Sequence, residues 1–252
     1  MWDATSTSPW LNRGKTTLAV LPIGALEQHG AHLPLGTDWM EADGIAQKIA
    51  DGLNAYLLPA LPFGNSQAHA SFRGTVSLDP RTLARVVREL VQCLFTQGFK
   101  QVVVINTHGG NIVLKVTIRE LNATYSDAKV ILVHPWVPAI ADLRKLFPDF
   151  DQDLHAGDFE TSLMLALHPE WVGDDRRDTV PQNISGEFFD YLPINTLSET
   201  GVWGRPSRAS REKGQAALEV MAKKSVEYIR HTFQLITEYD TTIEPSTDND
   251  PA

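Results

Sequence analysis

The sequence predicts an α/β fold in which a mainly parallel sheet is sandwiched between helix layers. Three observations point there. Apolar, β-rich runs alternate with helical stretches in the order β-α-β-α-β-α-β through the first half of the chain. One of these runs, residues 101–106 (QVVVIN), is nearly continuous in β-branched residues, as in parallel strands covered on both faces. The chain has 252 residues, of which 42% are hydrophobic, enough to bury a core of ordinary size.

In order along the chain, residues 17–23 (TLAVLPI) read as a buried strand leading into a loop dense in Gly, His and Pro. Residues 41–53 carry Ile45, Ile49 and Leu53 at the spacing of one helix face. Residues 55–61 read as a second short strand. Asp79 is an N-cap with Pro80 at the first helical position, and Leu83, Val87, Leu90 and Leu94 continue as an apolar stripe that Gly98 closes. After the strand at 101–106 come a helix at 112–125 and a strand at 130–133. Beyond this point the pattern loosens. Residues 135–153 read as loop-rich, 159–167 as helix, 172–208 as irregular, and 211–233 as a long helix with Leu218, Met221, Val226 and Ile229 near its apolar face. No repeat, heptad run or linker divides the chain. Residues 1–240 therefore read as one domain, followed by a disordered polar tail at 241–252.

Composition removes several function classes. A net charge of −9 argues against nucleic-acid or anionic-membrane binding, since both need clustered Lys and Arg. The single Cys93 excludes a disulfide framework, a thiolate metal cluster and a CxxC redox pair. No run approaches the roughly 20 apolar residues of a membrane span. Residues 1–10 lack the basic and apolar segments of a secretory signal, so a cytoplasmic location is expected.

The chemistry concentrates in loops that follow strands, where an open α/β sheet binds its ligands. The first, residues 24–38 (GALEQHGAHLPLGTD), offers Glu27, His29, His32 and Asp38. Glu27 and His29, two apart, project the same way in an extended chain and can reach one cation or two neighbouring ones. Asp38 precedes a helix, where a carboxylate is favoured but can also be a plain N-cap. The loop at 106–111 (NTHGGN) brings His108 beside paired glycines, Gly109 and Gly110, that permit close approach of a ligand. An imidazole there suits Zn, Mn or Fe alongside carboxylates. A third cluster, residues 155–162 (HAGDFETS), offers Glu160 as an oxygen ligand and His155 as a general acid or base, its ordinary pKa of about 6.5 suiting proton transfer near neutrality. On local grounds Asp158 there reads equally well as a helix cap. His69 and His134 also follow strands, whereas His168 and His231 read as structural or solvated. Residues 64–68 (GNSQA) approach G-x-S-x-G but end in Ala68, which leaves a serine hydrolase weakly supported.

The stretches 21–38, 72–75 (FRGT), 106–111, 155–162 and 209–214 (ASREKG) together closely resemble the creatininase family, in family order over residues 17–232. The resemblance implies a three-layer α/β/α sandwich, a homo-oligomer of hexameric size, and a metal-dependent hydrolase of a cyclic or small linear amide. It implies two divalent metal ions, Zn, Mn or Fe, and a water between them as nucleophile. By position, Glu27 and His108 would hold one ion and His29 the other, Asp38 would bridge them, and His155 would carry the proton to the leaving nitrogen. Ser66, His69, Gly109, Gly110 and Trp136 are the candidate substrate contacts. The chain departs from creatininase itself, which has a Tyr and a metal-binding Glu where Gly109 and Gly110 stand; Glu160 is the candidate replacement. The His-Gly-Gly-Asn form is shared with relatives that deformylate a formamidopyrimidine or cleave a peptide precursor in mycofactocin maturation. A metal-binding protein that has lost hydrolysis is the alternative from another class.

Overall fold

The computed structural model describes residues 2–14, 16–182 and 184–242, and its centre is a sheet of four strands, all parallel. They are β1 (Leu18–Ile23), β2 (Tyr56–Leu57), β3 (Gln101–Asn106) and β4 (Lys129–Val133), in the order β2-β1-β3-β4. β1 pairs with β3 along its whole length, Leu18 opposite Gln101 and Ile23 opposite Asn106. Successive side chains of a strand face opposite ways, so each strand feeds two cores. Ala19, Leu21, Ile23, Val102 and Val104 pack against α3 (Pro80–Thr96) and α4 (Val113–Thr124). Val20, Val103, Ile105, Ile131 and Val133 face the other layer. That layer contains α2 (Thr37–Leu53), α5 (Trp136–Leu146), α6 (Asp158–Leu167) and α8 (Arg211–Thr242). The fold is a three-layer α/β/α sandwich. Two short helices, α1 (Ser8–Gly14) and α7 (Ile194–Leu197), lie outside these layers in sequence order. No helix among the described residues is long and apolar enough to cross a membrane.

Several boundaries differ from the sequence reading, each for a physical reason. α2 begins at Thr37, so Asp38 lies inside its first turn and the cap position belongs to Gly36. The second strand is only two residues long, because Pro59 and Pro62 remove ladder donors; Leu61 regains a single bridge to Ile23. The segment read as loop-rich from 135 contains α5, whose Pro138 falls in the first turn, where a missing N–H breaks no helical bond. α8 runs on to Thr242 because Phe233 and Ile236 continue its apolar stripe, so positions 241 and 242 belong to helix; the rest of the tail, 243–252, lies outside the described residues. Asp79 caps α3 as expected, accepting from the Arg81 N–H at 2.8 Å.

The strand order reverses direction between β1 and β3. Connections run from β1 to one side and from β3 to the other, leaving a crevice at their carboxyl ends where α/β sheets place ligands.

Candidate metal centre

Three loops meet over that crevice. The loop after β1 carries Glu27 and His29 and delivers Asp38 in the first turn of α2. The loop after β3 carries His108, and Glu160 projects from the first turn of α6. Both Asp38 and Glu160 sit where the backbone N–H groups of a helix end favour negative charge.

The side chains converge closely. His29 Nε2 lies 3.3 Å from Asp38 Oδ1 and 3.9 Å from Glu160 Oε2. His108 Nδ1 is 3.2 Å from Asp38 Oδ2, and its Nε2 is 3.4 Å from Glu27 Oε2. His155 Nδ1 and His69 Nε2 approach Glu27 Oε1 at 3.7 and 3.4 Å. Backbone contacts decide which imidazole nitrogen is free. His29 Nδ1 donates to the Glu27 carbonyl at 3.1 Å, leaving Nε2 as the lone pair facing Asp38. His108 Nε2 donates to the Asn65 carbonyl at 2.8 Å, leaving Nδ1. Fixing the remote nitrogen in this way sets both tautomer and ring orientation, as ligating histidines require.

Two triads result, Glu27–Asp38–His108 and His29–Asp38–Glu160, each with ligand atoms within 4.8 Å of one another and with Asp38 common to both. A third grouping, Glu27–His29–His155, overlaps them. Glu27 Oε2, His29 Nε2 and Asp38 Oδ2 are buried and have no hydrogen-bond partner. Leaving such atoms unpaired costs about 1–3 kcal/mol each, more when charged. An oxygen and imidazole set of this kind fits a divalent cation such as Zn or Mn.

The electrostatics carry the same signature. Burial alone would push the His29 imidazolium down, but Asp38, Glu160 and Glu27 outweigh it and hold its pKa up at about 10. His108 is raised to about 9 against the same burial penalty by Glu27 and Asp38. Burial raises Glu27 to about 7 despite His108 beside it. Asp38 resists burial and stays well below the usual carboxylate range, because His29 and His108 flank it. His155 goes the other way: burial, then the nearby His29 and His69, push it well below the ordinary histidine value, so it is a neutral imidazole at pH 7. The ordinary value expected from sequence is therefore not the one this site holds.

A cation entering at neutral pH must displace the protons of His29 and His108. Metal affinity should therefore fall as pH drops below about 10, and binding at pH 7 should release at least two protons per chain, with part of a further one from Glu27. Titration calorimetry in two buffers of different ionisation enthalpy reads this directly. Identical heats in both buffers would refute it.

The site opens on a cleft of about 620 Å³, lined by Glu27, Asp38, His108, His155 and Glu160 at its floor. Gly109, Gly110 and His69 line its wall, as do Phe189 and Tyr191 from the irregular segment after 185. Ser66 is buried beside Glu27, and Trp136 lies against His134 with ring centroids 5.0 Å apart; neither lines the cleft. Gly110 is needed for its small size: a Cβ there would stand 2.4 Å from both the Asn65 carbonyl and His108 Nε2, and would break the bond that aims His108.

The Creatininase family, described as creatinine amidohydrolase, matches residues 4–229. This chain belongs to the creatininase family. The creatinine amidohydrolase of Pseudomonas putida is 33% identical over 233 residues, 85% of this chain and 89% of that one. The mycofactocin precursor peptide peptidase of Mycolicibacterium smegmatis is 28% identical over 242 residues, covering 90% and 89%. Solved structures of a manganese creatininase and of a Zn-Zn creatininase mutant superpose with TM-scores of 0.79 and 0.78 at 29% identity. Each covers 92% of this chain and 98% of its own.

Within this creatininase-family hydrolase, the other motifs hold the centre in place. Asn111 Nδ2 bonds Asn106 Oδ1 at 2.8 Å and the Gly24 carbonyl at 3.2 Å, while its Oδ1 accepts from the Asn65 N–H, so the β1 and β3 loops are tied together. Stretch 209–214 docks α8 on α6: Lys213 Nζ reaches both Asp158 oxygens at 2.6 Å, and the Ser210 N–H bonds Ser162 Oγ at 3.1 Å. Asp158 is thus an ion-pair partner rather than a cap. His32 bonds Thr161 at 3.0 Å, and His134 contacts Asn106 away from the cleft. His168 stacks on Trp171, and His231 is exposed.

Three features escaped the sequence reading. Gln28 is buried between the two candidate ligands that flank it and donates to His69 Nδ1 and the Gly201 carbonyl, both at 2.9 Å. Its alternation with Glu27 and His29 was the available signal. Asp153 accepts from the Phe159 N–H at 2.8 Å and so steadies the start of α6. Nothing in the aperiodic segment around Phe189 marks it as a cleft wall.

Proposed function

We propose that this chain is a dinuclear metal-dependent amidohydrolase that cleaves a cyclic or small linear amide. The observation that carries this reading is the pair of ligand triads sharing Asp38, buried throughout except for the part-exposed Glu160. Glu27, Asp38 and His108 would hold one divalent ion, and His29, Asp38 and Glu160 the other. Such ions supply Lewis acidity, polarising the amide carbonyl and making water acidic enough to attack at neutral pH.

The chain's own residues supply position and proton transfer. His155 donates from Nε2 to the Gln28 carbonyl at 2.7 Å, which leaves the Nδ1 lone pair on the Glu27 side, toward the cleft floor. As a neutral imidazole it takes a proton at Nδ1 and returns it to the departing nitrogen, so that water adds across the C–N bond. Gln28 holds His69 against Glu27, fixing that carboxylate from a second side. Gly109 and Gly110 keep the β3 side of the cleft open to substrate backbone or ring atoms.

A specific observation favours a substrate larger than creatinine. A cleft of about 620 Å³ with Phe189, Tyr191 and Leu192 on its wall suits a drug-sized ligand better than one small ring. A short peptide or a substituted formamide fits that chemistry.

Metal analysis of the purified protein should find about two divalent ions per chain, and chelation should abolish turnover. A panel of creatinine, formamide-bearing pyrimidines and short peptides should yield at least one substrate, lost in His155→Gln with metal retained. Stoichiometric metal-free protein that remains active would overturn the reading. Tight metal binding with no turnover across the panel would favour the non-catalytic alternative.

A further inference from the structure

Glu41 is the buried acid that the reading above leaves unused. It follows Asp38 by three residues on α2, on the face that packs toward α6, and it is only 4% exposed. Its Oε1 has no hydrogen-bond partner. The void beside it is walled by apolar side chains, among them Ile45, Trp136, Phe159 and Met221. The one hydroxyl on that wall, Thr107, gives its hydrogen to the Asp38 carbonyl at 2.7 Å and has none left for Glu41. The charged groups that bear on Glu41 are Glu160, Asp38 and His29. Two of the three are carboxylates, so the protein itself surrounds Glu41 with charge of the wrong sign.

A buried carboxyl among other carboxylates keeps its charge only if a cation answers it, and otherwise takes up a proton. Two divalent ions bring four positive charges. Glu27, Asp38 and Glu160 return three, and His29 and His108 are neutral when they ligate. Glu41 is the fourth negative charge, and it lies on the Glu160 side of the centre.

We propose that Glu41 is a fourth carboxylate of the metal centre, whose charge balances the cation held by His29, Asp38 and Glu160. It acts on that ion and not on the one held by Glu27, Asp38 and His108, because the void it borders is walled by Phe159 and Leu163 of α6, the helix that carries Glu160, and neither Glu27 nor His108 lines it. This rests on the two-ion reading above.

The test is a Mn²⁺ titration of chelator-stripped protein, wild type against Glu41→Gln and Glu41→Leu, by calorimetry, with a thermal melt of each in chelator. Wild type should bind two ions. Both variants should keep one at wild-type affinity and bind the other about 10–100-fold more weakly. In chelator, Glu41→Leu should melt above wild type, since the unpaired acid is gone. Two ions at unchanged affinity in both variants would overturn the role of Glu41 and leave the two-ion reading intact. Loss of both ions together, or failure of both variants to fold, would overturn it in favour of a packing role. Fewer than two ions on wild type would overturn the two-ion reading itself.

Discussion

Asp38→Asn should leave a folded protein with activity reduced on the order of a thousandfold or more. Asp38 is the one residue common to both triads, with an oxygen 3.3 Å from His29 Nε2 and another 3.2 Å from His108 Nδ1. The amide keeps the shape of the side chain but presents a single acceptor and no charge. Shared ligation therefore fails, and several kcal/mol of transition-state stabilisation go with it, each 1.36 kcal/mol being a factor of ten. Folding should survive, because the main-chain contact that Asp38 makes to Thr107 is through its carbonyl and is untouched. Metal content and kcat/KM measured on the same preparation decide the matter. Wild-type turnover in Asp38→Asn would remove Asp38 from the centre.

The largest effect on stability should come from a smaller change. A Cβ at Gly214 would stand 1.8 Å from the Ser162 carbonyl oxygen and 3.0 Å from the Ala166 Cβ, so Gly214→Ala must push α8 away from α6. Separation also loosens the bridge between Lys213 and Asp158, whose side chain is only 9% exposed. Overpacking of this kind costs about 1–3 kcal/mol, and breaking the largely buried pair adds to it. α6 carries Glu160, so metal affinity should fall with stability. Urea unfolding should be run in chelator, where bound metal cannot mask the loss by mass action. An unchanged midpoint would show that position 214 does not set the spacing of the two helices.

Much of the sandwich was legible because its strands are read by composition. The 101–106 strand is buried on both faces from Val102 onward, and a stretch of Val and Ile with no polar alternation says as much. The third helix announced itself through Asp79, Pro80 and a four-residue stripe. α5 did not, because Pro135 and Pro138 suggest a turn until one sees that both fall where a helix leaves its N–H groups unbonded. At the site, Glu27, His29, Asp38, His108 and Glu160 stand together as their loops suggested. The acid that helix packing encloses was not legible. Glu41 looks in sequence like one more acid on a helix, and only the packing of α2 against α6 turns it inward. Helix periodicity shows which residues share a face, not which polar residue the core will enclose.

The tie between the two strand-end loops has a consequence for how the protein comes into being. Thr107 reaches Asp38 across 69 residues of chain, and Asn111 reaches Gly24 across 87. Neither ligand triad is local: that of His108 needs β1 and β3 side by side, and that of Glu160 needs α2 packed against α6, so no short fragment of this sequence should sequester a cation. Cations would arrive after the sheet has closed, stabilising a finished structure and taking no part in nucleating it. A nascent chain would thus pass through its most vulnerable stage without their help, and metal scarcity should lower its stability once folded without altering the rate at which it first folds.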